Sequence, residues 1–294
     1  MEIVVASGKG GTGKTFISSN LLFFLNSFGI PSVGADADVE APDLILAVGD
    51  CLEKISSKEV YESEKAMILD DKCIRCGACK SVCGYEAIEY VDNEMVVIEY
   101  LCDGCGACRL VCPSDAINFY TKLTGKISIC KCSDGIYVVT GDLEIGEKNS
   151  GHLVYEVKKV AHEILNEINA RHVIVDSAPG VGCPVISSIS GADILIIVVE
   201  PSLQSLQGAK KLREIAGHFN VKTFVVINKY DLNLNLCSKI SSILDAEVIG
   251  RIPYDEKVVQ SYTSMIPIIE YDRDSKASRA LLEMFSNLAD KVIL

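Results

Sequence analysis

The chain has 294 residues, of which 49% are apolar and 23% charged, the balance of an ordinary globular protein long enough for two domains. Its formal net charge of −12 argues against unspecific nucleic-acid binding and against a basic membrane-surface patch, since both need clustered Lys and Arg. The longest apolar runs, such as Ile194–Val199, are strand-sized and too short to span a bilayer, and the chain enters a strand at once with no signal peptide. A cytoplasmic protein is expected, in which thirteen cysteines mean metal or redox chemistry rather than disulfides.

Glu2–Ala6 predicts a buried strand, and the loop Gly8-Lys9-Gly10-Gly11-Thr12-Gly13-Lys14-Thr15 follows it. Gly8, Gly10, Gly11 and Gly13 let backbone N–H groups, Thr12 among them, turn inward on a phosphate. Lys14 is placed to reach the β/γ oxygens and Thr15 to ligate Mg²⁺. A helix from about Gly13 to Phe28 points its positive N-terminus at the anion. A second strand at Ile30–Ala35 completes a βαβ start, which predicts an α/β fold with a mainly parallel sheet flanked by helices. Asp36 and Asp38 follow that strand.

From about Lys58 to Lys122 the pattern becomes cysteine-rich, with short strands. Cys73, Cys76, Cys79 and Cys83 form one C-x2-C-x2-C-x3-C comb; Cys102, Cys105, Cys108 and Cys112 form a second, 29 residues on. Each comb is followed by a similar phrase, Glu86-Ala-Ile-Glu-Tyr90 and Asp115-Ala-Ile-Asn-Phe119. The spacing is the bacterial ferredoxin ligand run, in which the fourth cysteine serves the other cluster. It assigns Cys73, Cys76, Cys79 and Cys112 to one [4Fe–4S] cluster and Cys102, Cys105, Cys108 and Cys83 to the other. Structural zinc is the rival, but zinc ribbons use paired knuckles with long spacers.

Strand and helix alternation then resumes, with strands at Ile136–Thr140, His172–Asp176, Ile194–Val199, Thr223–Asn228 and Val248–Ile252. Helices are expected at Leu153–Asn169, Gln204–Phe219 and Ser275–Lys291. The last bears an apolar stripe of Leu281, Leu282, Phe285, Leu288 and Val292, read as a packing face in preference to a membrane anchor because it carries little positive charge. Asp176 ends an apolar strand in the manner of a metal-holding acid, and Ser177–Gly182 follows it. Asn228 begins Asn-Lys-Tyr-Asp231, which in letters also matches a guanine-reading motif, and Pro253 sits in a loop beside it. Cys51 and Cys237 read as packing residues; Cys130 and Cys132 form a C-x-C pair in a strand-like segment, whose joint ligation of a metal is disfavoured but stays open.

The loop Lys9-Gly-Gly-Thr-Gly-Lys14-Thr15 resembles the deviant Walker A motif of the MinD/ParA/Mrp/nitrogenase-iron-protein group. Together with the cysteine repeat, the chain resembles throughout a member of that group carrying an inserted two-cluster ferredoxin domain. The resemblance implies three segments: 1–57 and 123–294 as the P-loop ATPase domain, and 58–122 as a small α+β bacterial-type ferredoxin domain. It implies ATP, Mg²⁺ and two [4Fe–4S] clusters as cofactors, and a homodimer with ATP at its interface. Lys9 then reaches the partner subunit's nucleotide as an arginine finger does, Lys14 binds phosphate and Asp38 orients the attacking water. Asp36 supports Mg²⁺, Asp176 holds it through water, Ser177–Gly182 forms the second switch, and Asn228 and the Pro253 loop flank adenine, with GTP as the alternative base. Cys183 matches in spacing a cluster-ligating cysteine of the nitrogenase iron protein; it is read either as a shared ligand at a dimer axis or as a buried free thiol. Three functions stay open: assembly or delivery of an iron–sulfur or metal cofactor to a client protein, ATP-gated electron donation to a redox partner, and a MinD/ParA-like positioning switch with structural clusters.

Overall fold

Strands buried on both faces read as continuous apolar runs, and the two most apolar segments of the chain form the centre of the sheet. The computed structural model describes residues 1–147 and 150–293, with side chains through Lys291. Its strands are β1 (Glu2–Ser7), β2 (Ser32–Ala37), β3 (Glu53–Ile68), β4 (Ile88–Val91), β5 (Glu94–Val97), β6 (Ile117–Lys131), β7 (Tyr137–Leu143), β8 (His172–Pro179), β9 (Ile194–Val199), β10 (Lys222–Asn228) and β11 (Glu247–Ile252). The chain forms two compact units. The larger comprises Met1–Lys58, Ile127–Asp142 and the chain from Ser150 onward. The smaller comprises Glu59–Lys126 with the described part of Leu143–Asn149.

The sheet runs β11-β10-β9-β1-β8-β2-β7-β6-β3. From β11 to β7 every neighbouring pair is parallel. Seven parallel strands therefore bring their carboxyl ends to one edge. The loop after β1, Asp36 near the end of β2 and Asp176 within β8 meet there, with Asp36 and Asp176 directly opposite in register. Helices Lys14–Ser27, Ser150–Glu167, Leu203–His218 and Lys276–Leu288 cover the sheet. Leu281, Phe285 and Leu288 are buried, so the C-terminal stripe is a packing face; Val292's side chain lies outside the described residues. No helix among the described residues is long and apolar enough to cross a membrane.

Three strands depart from the sequence reading. β2 begins at Ser32, not Ile30, because the Ile30 N–H closes the preceding helix on the Leu25 carbonyl and Pro31 has no N–H to give a ladder. β3 and β6 are 16 and 15 residues long where short strands were expected. Most of β3 is exposed and rich in Glu, Lys and Ser, so no apolar alternation marks it.

The smaller unit is built twice over from one pattern. Short helices Ala78–Val82 and Ala107–Leu110 each start after a glycine with φ of 74° and 79°, Gly77 and Gly106. Such left-handed backbone is open to glycine without a Cβ penalty, which explains why it recurs at that place in each comb. Cys79 and Cys108 are buried at those helices and pack with Ala87, Ile88, Met95 and Ile117 in one small core. β4 and β5 close an antiparallel hairpin.

A close backbone approach locks the phosphate loop onto the larger unit. A Cβ on Gly8 would stand 2.3 Å from the Gly208 backbone, and one on Gly208 would stand 2.6 Å from Gly8. Glycine inside a helix costs about 1 kcal/mol relative to alanine, and here the contact explains it. Gly208→Ala is expected to destabilise the protein by about 1–3 kcal/mol despite its better helix propensity. Gly217→Ala, whose Cβ would meet only Arg213 at 3.9 Å, is expected to be neutral or stabilising. Paired thermal and denaturant melts of the two variants check this.

Candidate nucleotide-binding site

The helix beginning at Lys14 carries the loop's two functional side chains inward, and Lys14 and Thr15 are both buried. Gly10, Gly11, Gly13, Lys14 and Thr15 line one end of a cleft of about 460 Å³. Asp38, Asp43 and Pro179 border the same space, and Asn228, Pro253, Tyr254, Asp255 and Tyr262 wall the other end. The predicted phosphate residues and the predicted base-side residues therefore share one cavity.

Thr15 Oγ1 lies 2.6 Å from Asp176 Oδ2 and 3.0 Å from Asp43 Oδ1. Asp176 Oδ1 is buried with no hydrogen-bond partner. Lys14 Nζ is 3.9 Å from Asp38 Oδ2. Burial pushes the Asp176 carboxyl up to about 7, with Lys14 and Thr15 pulling the other way. Burial likewise raises Asp38 to about 6, again opposed by Lys14. An oxygen-only set with an orphaned buried carboxylate atom is the chemistry of a hard divalent cation. Among the described residues no three His, Cys, Asp or Glu side chains close on a point as a metal centre. Thr15, Asp43 and Asp176 supply only part of such a shell, as Mg²⁺ sites do when phosphate and water complete them.

The geometry bears on three of the predicted roles. Asp36 is buried and accepts from the backbone N–H groups of Asp38 and Leu44, so it ties down the loop that carries Asp38 and Asp43. Burial and the facing Asp176 hold its carboxyl well above the usual range. Asn228 donates from Nδ2 to the Thr12 carbonyl and accepts from the Lys229 N–H, so both ends of its amide hold protein backbone. It positions the phosphate loop at the cleft wall. Lys9 does not line its own cleft; its Nζ sits 2.9 Å from Glu200 Oε1. Asp43 and Glu200 were missed in the sequence. The signal for Asp43 was an acid at a short helix start, five residues after Asp38, which reads equally well as a cap. Asp231 accepts from the Tyr254 N–H at 2.8 Å, joining the two loops on the base side.

The cysteines of the smaller unit sort into two cavities. One is lined by Cys73, Cys76, Cys79 and Cys112, the other by Cys83, Cys102, Cys105 and Cys108. The backbone N–H of Ala87 points at Cys83 Sγ at 3.3 Å, and that of Ala116 at Cys112 Sγ at 3.2 Å. The Ala66 N–H donates to Cys102 Sγ at 3.4 Å. Outside the combs the expectations need correcting. Cys51 and Cys130 are joined in a disulfide, 79 residues apart in sequence, where free thiols were expected. Cys237 is buried as read, but Cys183 is exposed at the start of helix Cys183–Ile189 rather than a buried thiol.

Residues 3–268 match the CobQ/CobB/MinD/ParA nucleotide binding domain (CbiA). An uncharacterised protein of Methanocaldococcus jannaschii is 35% identical over 296 residues, covering 99% of this chain and 97% of its own. An uncharacterised ATP-binding protein of the same organism is 27% identical, covering 97% of this chain and 96% of its own. The septum site-determining protein MinD complexed with Mg-ADP, from Pyrococcus horikoshii, superposes with a TM-score of 0.63 at 17% identity, covering 99% of this chain and 96% of that one, a likeness of fold. The chain belongs to the CobQ/CobB/MinD/ParA nucleotide-binding family and is a P-loop ATPase.

Proposed function

We propose that the protein is an ATP-driven homodimer switch of the MinD/ParA kind, with a deviant Walker A lysine serving its partner's nucleotide. The observation that carries this is Lys9. It is partly exposed at the loop and stands outside its own cleft, bound to Glu200. A cation so placed is free to reach a nucleotide across an interface, where it offsets charge developing on the γ-phosphate. Lys14, Thr15, Asp43 and Asp176 then hold the phosphates and Mg²⁺, and Asp38 orients the attacking water. The Mg-ADP bound by the MinD of similar fold supports the same ligands here.

The two four-cysteine cavities favour a second element: an inserted ferredoxin-like unit binding two [4Fe–4S] clusters. Each cavity gathers three cysteines from one comb and the fourth from the other, the sharing that ferredoxin spacing requires. The N–H groups aimed at Cys83, Cys102 and Cys112 suit sulfur that carries charge. Clusters there would supply one-electron chemistry. Cofactor delivery to a client and electron donation to a redox partner both depend on them, but the MinD and ParA likenesses lend those two roles no support. A switch is the better-supported reading, with Cys183 as an exposed thiol near the second switch.

Lys14→Ala is expected to abolish nucleotide binding. Lys9→Ala is expected to retain binding yet lose ATP-dependent dimerisation and turnover, by a factor on the order of 10³ if it acts as an arginine finger does. Light scattering with and without ATP, alongside phosphate release, separates the two; normal dimerisation of Lys9→Ala sinks the trans role. Cys76→Ser and Cys105→Ser should each remove about half of the bound iron and of the visible absorbance, and an unchanged iron content would refute the cluster assignment. Because Asp38 and Asp176 titrate near neutrality, a cation should displace protons from them. Calorimetry of Mg-ADP binding at pH 6.5 in buffers of different ionisation enthalpy should report net proton release, and none at pH 8.5.

A further inference from the structure

The Cys51–Cys130 disulfide joins the larger unit to itself, and Cys51 follows the cleft residue Asp43 by eight positions in the chain. The chain runs from Asp36 through Asp38 and Asp43, makes one short helix at Leu44–Ala47, and then turns through Val48 and Gly49 to Cys51. The near end of this segment is pinned by Asp36, which accepts from Asp38 and Leu44. The far end is pinned to the last residues of β6 and the turn that follows. There the Leu52 N–H donates to the Lys131 carbonyl at 3.1 Å, Ser133 Oγ donates to the Gly49 carbonyl at 3.1 Å, and the disulfide joins Cys51 to Cys130. Of these three ties the disulfide is the one that chemistry can make and break.

We propose that Cys51 and Cys130 form a thiol–disulfide redox site, reduced by a dithiol, whose state sets how tightly the ATPase binds its Mg-nucleotide. The two sulfurs differ in access: Cys51 is partly exposed and Cys130 is buried, so attack falls on Cys51. A thiolate of the external dithiol bonds to Cys51 Sγ, the Cys51–Cys130 bond breaks, and Cys130 leaves as a thiolate that takes a proton. The reductant's second thiolate then attacks its own sulfur in the mixed disulfide, releasing Cys51, which is protonated in turn. Two electrons and two protons pass to the protein, and the dithiol leaves as a disulfide. Cys132 is two residues from Cys130, just past the end of β6, yet it does not compete. It is buried, and burial pushes its thiol up to about 12, so it stays protonated and unreactive. In reducing compartments a disulfide is as a rule transient and redox-sensing, which suits a bond in a chain whose other cysteines are free.

The direction follows from ordering. With the disulfide closed, the segment bearing Asp38 and Asp43 is fixed at both ends before nucleotide arrives. With it open, the far end loses its one covalent tie and keeps its hydrogen bonds, the pairing of β3 with β6 from Glu53 onward and the buried Leu44 and Val48, so binding must order whatever slack that loss admits at its own expense. The inference rests on the nucleotide site and not on bound clusters. Full-length protein purified without reductant is alkylated, unfolded and mapped by mass spectrometry; Cys51 and Cys130 should be protected until dithiothreitol is added. Affinity for a fluorescent Mg-ADP analogue is then measured before and after dithiothreitol, with iron content and the melting curve followed in both states. Reduction should weaken binding about tenfold, within the usual range of coupling between sites. Cys51→Ser and Cys130→Ser should each bind at the reduced level and ignore dithiothreitol, while Cys183→Ser and Cys237→Ser keep the response. Equal affinity in the two redox states of the wild type overturns the proposal, as does free Cys51 in the protein isolated without reductant. A response that survives in Cys51→Ser, or that tracks loss of iron, overturns it as well.

Discussion

An excess of negative charge at the ends of two neighbouring strands governs this molecule. Asp36 and Asp176 face one another across β2 and β8 in parallel register, and Asp38 and Asp43 follow in the next turn of chain. Lys14 opposes Asp38 and also pulls on Asp176. Desolvated carboxyls resist charging unless something cationic joins them, and Asp36, Asp38 and Asp176 all respond by holding their protons more tightly. Phosphate brings more negative charge, so binding needs the loop's inward N–H groups and a divalent cation together. The sheet supplies the rigidity: strands buried on both faces cannot yield to let the acids drift apart.

Much of this was legible because the nucleotide site is written locally. The glycine loop, Lys14 and Thr15 lie within eight residues, and the strands that deliver Asp36 and Asp176 are apolar runs ending in acids. What the sequence hid was non-local. Asp43 reads as a helix start until Thr15 is seen 3.0 Å away. Asn228 reads as a base-side residue, and nothing in the sequence signals that its amide also holds the backbone of Thr12 and Lys229, the former more than 200 residues away. The Cys51–Cys130 pair spans 79 residues, and no spacing rule joins such positions. β3 escaped because its exposed, charged sequence carries no apolar period.

The cysteine repeat shows the opposite case, in which sequence spacing carried the three-dimensional grouping. Two similar phrases fold into two similar backbones, down to the glycines at φ of 74° and 79° and the N–H groups directed at Cys83 and Cys112. If each repeat served only itself, each cavity would be lined by the four cysteines of one comb. The exchange of the fourth member is what makes the halves interdependent: losing either repeat leaves the other cavity with three sulfurs. The small core between them is correspondingly shared, with Cys79, Ala87 and Ile88 of one repeat packed together with Cys108 and Ile117 of the other.

Lys9 poses the sharper energetic question, since a residue proposed to act across an interface is held within its own chain. Its partner Glu200 also sits 3.8 Å from Lys229, and Lys229 Nζ donates to the Gly11 carbonyl of the same loop. Glu200 therefore keeps one cation if Lys9 leaves. A half-exposed ion pair of this type is worth about 0–1 kcal/mol, because water already screens both ends. A γ-phosphate in a closed, water-poor interface is a far stronger acceptor for the same ammonium. The lysine is thus parked where it is neutralised but not committed, and moving it costs little as long as a second chain provides the anion.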